Sequence, residues 1–195
     1  MTTATRFFES QGGRHDSSEV RTGAVRHEHD VLKAAYAVAL ATRGAAVVVN
    51  DLGSSPGGDG TDSEPAAAVT AAIDASGGRA IANLDDVSTA AGAQRMITVA
   101  LETFGRIDVV INNAGIVNRS TFPDTTLEDM QRHIAVHQIG TFNVSRAAWP
   151  HMVRQKYGRM IATLDQQTAG ERAGLIRLAG LSRDATFWRC IPGSR

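Results

Sequence analysis

The sequence predicts an α/β domain, a parallel sheet with helices on both faces. Patterns of strand length and helix length alternate from residue 31 to residue 164. Two of the strand-length runs, Ala45 to Asn50 and Ile107 to Ile111, are mostly apolar rather than alternating, as strands buried on both faces are. At 195 residues and 43% hydrophobic content the chain can build one domain with a real core. No repeating period of about 20 to 50 residues marks an array.

In chain order, Val31 to Arg43 carries Leu32, Ala35, Tyr36, Val38, Ala39 and Leu40 at helical spacing and stops at Gly44, a suitable helix terminus. Ala45 to Asn50 is a strand, and Leu52 to Ser63 a loop rich in Gly, Ser and Asp. Thr61 with Glu64 fits a capping box for a helix over Pro65 to Ser76, which Gly77 and Gly78 end. Arg79 to Leu84 reads as a strand, and Thr89 to Thr103 as a helix with Ala93, Met96, Ile97 and Leu101 on one face. After the strand at Ile107 to Ile111, Thr125 with Glu128 fits a cap for one long helix through Met130, Ile134, Ile139, Phe142, Val144 and Ala147, and Arg159 to Thr163 makes a further short strand. Such alternation predicts parallel strands joined by right-handed crossovers.

Charge and composition narrow the function classes. Twenty basic residues balance twenty acidic ones, so no net field invites nucleic acid or an anionic membrane, and a small molecule is the expected partner. Cys190 is the single cysteine, which excludes an intrachain disulfide framework and a multi-cysteine zinc site. With no apolar run of about 18 residues and no apolar signal core at the start, a cytoplasmic address is expected.

Function in this fold class collects where strands end at their carboxyl side. Asp51 follows Val47, Val48, Val49 and Asn50, where a carboxylate can accept hydrogen bonds from both hydroxyls of an adenosine ribose and repel an added 2′-phosphate. That favours NAD over NADP, with an ordinary loop carboxylate as the rival reading. Asp86 and Val87 follow the next strand, where a helix-capping aspartate before Ser88 is the rival. Asn112, Asn113, Ala114 and Gly115 end the strand after that, and small residues there let a flat ligand approach the backbone.

The Asn-Asn-Ala-Gly block resembles the fourth strand of a short-chain dehydrogenase/reductase, and the resemblance runs from about Tyr36 to about Ile161. It implies a Rossmann-like fold, with Asp51 and Leu52 at the ribose, Asp86 and Val87 beside adenine, and Asn113, Ala114 and Gly115 under the nicotinamide-ribose half. Part of the asparagines' role in that family is to pin strands together. The runs Val47 to Gly53, Gly77 to Asn83, Phe104 to Val110, Arg146 to Met152 and Gln155 to Arg159 are similar to the branch containing the (3R)-hydroxyacyl-CoA dehydrogenase part of peroxisomal multifunctional enzymes and bacterial relatives. That likeness implies hydride transfer between a nicotinamide and a secondary alcohol or ketone, with acyl-CoA or steroid-like substrates. It also implies a subunit interface through the helix around Met130 to Met152. His137 stands where many relatives place an active-site asparagine, against the plainer reading of a polar helix residue.

Both ends depart from the family pattern. Its glycine-rich loop lets a pyrophosphate sit against the backbone, but its two late glycines fall near Val31 and Lys33. Thr22, Gly23 and Ala24 resemble the loop's opening, yet His15 to Val20 is too polar for a buried central strand. The family's serine, tyrosine and lysine positions fall near Asp165, Leu178 and Ser182. Tyr157 is no substitute, because Ile161 stands four residues on. No catalytic residue is therefore assigned. Three regions are expected: a divergent and poorly ordered 1–30, a Rossmann-like core over 31–163, and a divergent tail over 164–195. A frameshift or truncation would produce such a tail, and the other reading frames of the gene can be searched for a Tyr-x-x-x-Lys.

Weaker signals point to structure. Gly57 to Asp62 resembles one copy of a calcium-binding nonapeptide but reads as a flexible loop, since those sites need stacked copies. His27 with His29, and His133 with His137, lack a third metal ligand and are expected to be solvated. Trp149 and Trp188 are expected to pack. Two function classes stand: an NAD-dependent oxidoreductase by descent, weak or inactive as written, and a non-catalytic remnant that binds adenosine or forms an oligomer interface.

Overall fold

A computed structural model describes residues 28–54, 60–117, 120–162 and 187–188. In order they form α1 (Glu28–Ala41), β1 (Ala46–Asn50), α2 (Glu64–Ala75), β2 (Arg79–Asn83), α3 (Ala90–Phe104) and β3 (Val109–Asn112). A 3-10 turn (Phe122–Asp124), α4 (Leu127–His133), a π-turn (Ile134–Ile139), α5 (Gly140–Arg154), β4 (Arg159–Ala162) and β5 (Phe187–Trp188) follow.

The expected α/β architecture is present, in two ladders. β1 pairs in parallel with β2, with Val47 opposite Ala80 and Val49 opposite Ala82. β3 pairs in parallel with β4, with Val110 opposite Met160. The side chains show how the ladders lie. Val48, Val110 and Met160, with Ile81 packed against them, share one core with Met96, Ile97, Val144 and Met152 of α3 and α5. Val47, Val49, Val109 and Ile111, with Ala80 and Ile161, share the other with Ala37, Ala41 and Ile73 of α1 and α2. Alternate residues of all four strands thus feed the same two cores, which puts the ladders in a single layer covered by helices on both faces.

Helix boundaries follow local chemistry. Gly44 adopts a φ of 80° just beyond α1, a left-handed stop that costs a residue without Cβ little. The Thr61–Glu64 capping box does not form; the Glu64 N–H instead donates to Asp62 Oδ1 at 2.9 Å, the local i to i+2 bond that aspartate favours. The box expected at Thr125 and Glu128 sits one residue on, with Thr126 accepting from the Asp129 N–H and Asp129 accepting from the Thr126 N–H. α3 is capped by Thr89, whose hydroxyl accepts from the Gly92 N–H at 3.0 Å. Thr89→Ala is expected to lower unfolding free energy by about 1 kcal/mol, read as a shifted urea midpoint at constant slope.

Two elements differ from expectation. The long helix through Met130 to Ala147 is not a continuous α-helix, since Ile134–Ile139 takes a π-turn in which the Gly140 N–H bonds the Ala135 carbonyl. The short strand β5 pairs antiparallel with β4, with Phe187 opposite Ile161, in a tail where the sequence predicts none. Residues 1–27, 163–186 and 189–195 of the divergent ends, and 57–59 of the Gly57–Asp62 loop, lie outside the described residues. Among the described residues, no helix is long and apolar enough to cross a membrane.

Candidate functional site

The carboxyl ends of β1, β2 and β3 open into a cleft of about 200 Å³. After β1 it is lined by Asp51, Leu52 and Ser54; after β2 by Asp86, Val87 and Ser88; after β3 by Ala114, Gly115 and Ile116. Arg132, Ala135 and Val136 close it from α4 and the π-turn. Six of the seven residues expected at a cofactor therefore meet in one place, although they span more than sixty positions of chain. Asn113 is the exception and is not among the lining residues.

Each wall is held by bonds that leave it little freedom. Asp51 Oδ1 accepts from the Gly53 N–H at 2.9 Å, turning the chain sharply at the end of β1. Gly53 has a φ of 67°, and a Cβ there would stand 1.7 Å from the Asp62 carbonyl oxygen, so the returning loop presses directly on this glycine. Asp86 Oδ1 accepts from the Ser88 N–H at 2.8 Å. The next backbone is fixed from α5, where Asn143 Nδ2 donates to the Val87 and Ser88 carbonyls at 3.2 and 3.1 Å. Asp85, also at the rim, is neutralised by Arg95 at 2.6 Å. Asn50 Nδ2 donates to the Asp85 carbonyl at 2.9 Å, while its buried Oδ1 has no hydrogen-bond partner among the described residues.

The π-turn aligns the fourth wall. The extra residue in its turn lets His137 reach the loop after β3 while Gly140 packs on Val87, where a Cβ would lie 3.0 Å from Val87 Cγ2. His137 Nε2 stands 3.1 Å from the Ile116 nitrogen and 3.0 Å from its oxygen. An unprotonated Nε2 accepts from the amide, and a protonated one donates to the carbonyl. The His137 ring also stacks on His133 at 5.7 Å, and His133 Nδ1 lies 2.9 Å from the Asp129 carbonyl oxygen. His137 is exposed, as expected of a solvated histidine, yet its ring is held between His133 and the Ile116 backbone. The sequence reading missed Arg132, Ser54, Ser88, Ala135 and Val136 in the lining. Ser54 and Ser88 follow β1 and β2 without a motif, and Arg132, Ala135 and Val136 enter only because α4 and the π-turn cross over the strand ends.

Residues 32–175 match the profile of the short chain dehydrogenase family. The chain belongs to that family. A peroxisomal multifunctional enzyme type 2 from Mus musculus is 48% identical over 129 residues, 66% of this chain and 17% of that protein. A putative short-chain type dehydrogenase/reductase of Mycobacterium tuberculosis is 46% identical over 126 residues, 65% of this chain and 44% of that one. A peroxisomal hydratase-dehydrogenase-epimerase of Saccharomyces cerevisiae is 46% identical across 66% of this chain and 14% of its own. These relatives match the hydroxyacyl branch singled out from the sequence. The chain spans less than half the length of each of the three.

Solved structures agree on the fold. A short-chain dehydrogenase from Mycobacterium avium superposes with a TM-score of 0.56 at 37% identity, covering 66% of this chain and 47% of that one. A metagenomic short-chain oxidoreductase in complex with NADP gives 0.59 at 30% identity, covering 67% and 56%. The described core thus has the fold of the short chain dehydrogenase family.

Proposed function

We propose that this chain retains the adenosine half of a nicotinamide-binding cleft and does not catalyse hydride transfer as it stands. The observation that carries this reading is the convergence of Asp51, Leu52, Asp86, Val87, Ala114 and Gly115 on one cleft. In it Asp51 takes the ribose hydroxyls, Asp86 and Val87 flank adenine, and Ala114 and Gly115 form a floor on which a flat ring can lie. Asn113 is proposed for the nicotinamide-ribose side, beyond the cleft proper. A carboxylate at Asp51 selects NAD against NADP, because a 2′-phosphate would meet a like charge.

The diphosphate half fits poorly. The positions where the family carries its late glycines are Val31 and Lys33, and both lie inside α1. Residues with a Cβ in place of those glycines are at odds with the close backbone approach that phosphate binding at a helix N-terminus requires. Proton transfer fits no better: the two tyrosines, Tyr36 and Tyr157, are followed four residues on by Leu40 and Ile161 rather than lysine. A bound nicotinamide would supply hydride chemistry, but no group in these residues matches the phenol and ammonium that handle the proton. The substrate class by descent is a secondary alcohol or ketone on a hydroxyacyl-CoA or steroid-like skeleton. The single cysteine fits a reducing compartment, which we take to be the cytoplasm, although the mouse and yeast relatives are named for the peroxisome.

Titration of NADH followed by its fluorescence tests both halves. Binding weaker than about 1 mM, equivalent to about 4 kcal/mol, is expected, with Asp51→Ala removing what remains. Oxidation of any hydroxyacyl-CoA or steroid alcohol with NAD would overturn the non-catalytic reading. Absence of adenosine binding at millimolar concentration would leave only the alternative, an oligomer-interface module. That alternative rests on the exposed Ile139, Phe142, Trp149 and Val153 along the π-turn and α5.

A further inference from the structure

We propose that Asn143 of α5 is a positioning residue for the base end of the cleft, holding Asp86 where it selects an amino-substituted purine, adenine, over its oxo counterpart, hypoxanthine. The inference rests on the adenosine reading above and deepens it. Its basis is a relay through one residue. The Ser88 carbonyl accepts from Asn143 Nδ2 at 3.1 Å, and the Ser88 N–H donates to Asp86 Oδ1 at 2.8 Å. Asn143 Nδ2 also donates to the Val87 carbonyl at 3.2 Å. The two carbonyls fix which end of the amide faces the loop, since the amide oxygen in that place would set an acceptor against two acceptors. Their residues lie 56 and 55 positions from Asn143 in the chain, so the crossing of α5, and not the loop's own turn, supplies these bonds.

Helix α5 grips the same loop a second time, one turn earlier, where Gly140 packs on the buried Val87. On the α3 side, Thr89 Oγ1 donates to the Asp86 carbonyl at 2.9 Å. Asp86, Val87 and Ser88 all line the cleft. With Oδ1 held by the Ser88 N–H, the other carboxylate oxygen of Asp86 is left to receive a donor from a ligand. That oxygen accepts from an exocyclic amine and repels a carbonyl oxygen in the same place, which is the difference between adenosine and inosine. Releasing Ser88 from Asn143 lets the carboxylate leave its position, so selectivity falls while the fold remains.

The test uses the 195-residue chain, with adenosine and inosine titrated against backbone amide shifts. Asn143→Asp keeps the shape and sets a carboxylate against two carbonyls, which raises its pKa above the ordinary carboxylate range. At about pH 7.5 this variant is expected to bind adenosine about tenfold more weakly than the parent and to lose its preference over inosine, because the competent loop is less populated. At about pH 5.5, where the variant's carboxyl gains a proton to donate, the ratio to the parent should recover, whereas Asn143→Ala should show the loss at both pH values. Protection of the Ser88 and Thr89 amides from hydrogen exchange, measured without ligand, should follow the same pattern. Met152→Ala, which removes a fully buried side chain farther along α5, controls for general destabilisation and should lower the melting temperature with selectivity unchanged. Unchanged loop protection in both Asn143 variants would overturn the relay. Lost protection with the preference for adenosine intact would reduce Asn143 to a structural bond and overturn its positioning role. A parent that protects the loop yet binds neither nucleoside would overturn the adenosine reading, and the selection of a base with it.

Discussion

Gly92→Ala is expected to destabilise the protein by about 2 kcal/mol, although glycine-to-alanine inside a helix ordinarily gains about 1. The reason is local. Gly92 sits in the first turn of α3, and a Cβ built on it would stand 2.0 Å from the Asp86 carbonyl oxygen and 2.9 Å from Thr89 Oγ1. The obstacle is backbone, which cannot rotate aside as a side-chain tip can. That carbonyl is already engaged, accepting from Thr89 Oγ1 at 2.9 Å, so moving it loosens the helix cap as well. Because Asp86 also lines the cleft, the same substitution should weaken adenosine binding, whereas an ordinary core cavity far from the strand ends would not. Urea unfolding and adenosine titration on one variant check both effects. A Gly92→Ala protein as stable as the parent would mean that the loop after β2 does not press on α3.

The parts legible in the sequence are those where one physical signal had no competitor. β1 and β3 stand out because a strand buried on both faces needs an unbroken apolar run, and Val47 to Val49 and Val109 to Ile111 supply it. α3 stands out because Ala93, Met96, Ile97 and Leu101 recur on one face, of which the first three are buried and Leu101 is half-buried. Where two residues offer the same chemistry, the sequence cannot choose. Thr125 with Glu128 and Thr126 with Asp129 are equivalent capping boxes on paper, and the second forms. The π-turn has no compositional signature, since one extra residue in a turn is a matter of packing, here of Gly140 on Val87 and His137 on Ile116. The cleft follows the same division. Asp51, Asp86 and Gly115 are legible because they terminate strands, while Arg132 enters from a helix whose crossing no local pattern encodes. Asn113 shows the converse, a residue inside a specific motif that is not among the residues lining the cleft.

The stripe along the π-turn and α5 gives the second large expectation. Phe142 is 59% exposed and Trp149 44%, while Val144, Ala148 and Met152 on the opposite side of the same helix are buried. Ile139, Phe142, Arg146, Trp149 and Val153 are spaced in steps of three and four residues, the spacing of a helix seam rather than of scattered surface residues. Each aromatic ring buries about 150 to 250 Å² when covered, and at about 25 cal/mol per Å² that is several kcal/mol for a pair meeting its symmetry mate. If two copies associate through this seam, Phe142→Glu combined with Trp149→Glu places like charges where the rings would meet. Self-association should weaken by more than about 100-fold, about 2.7 kcal/mol, while circular dichroism stays that of the parent because neither ring supports the core. Sedimentation velocity over a concentration series reads the difference. A parent chain that remains monomeric at about 100 μM, or a double variant that associates as tightly, would remove the seam as an interface and leave its exposure unexplained.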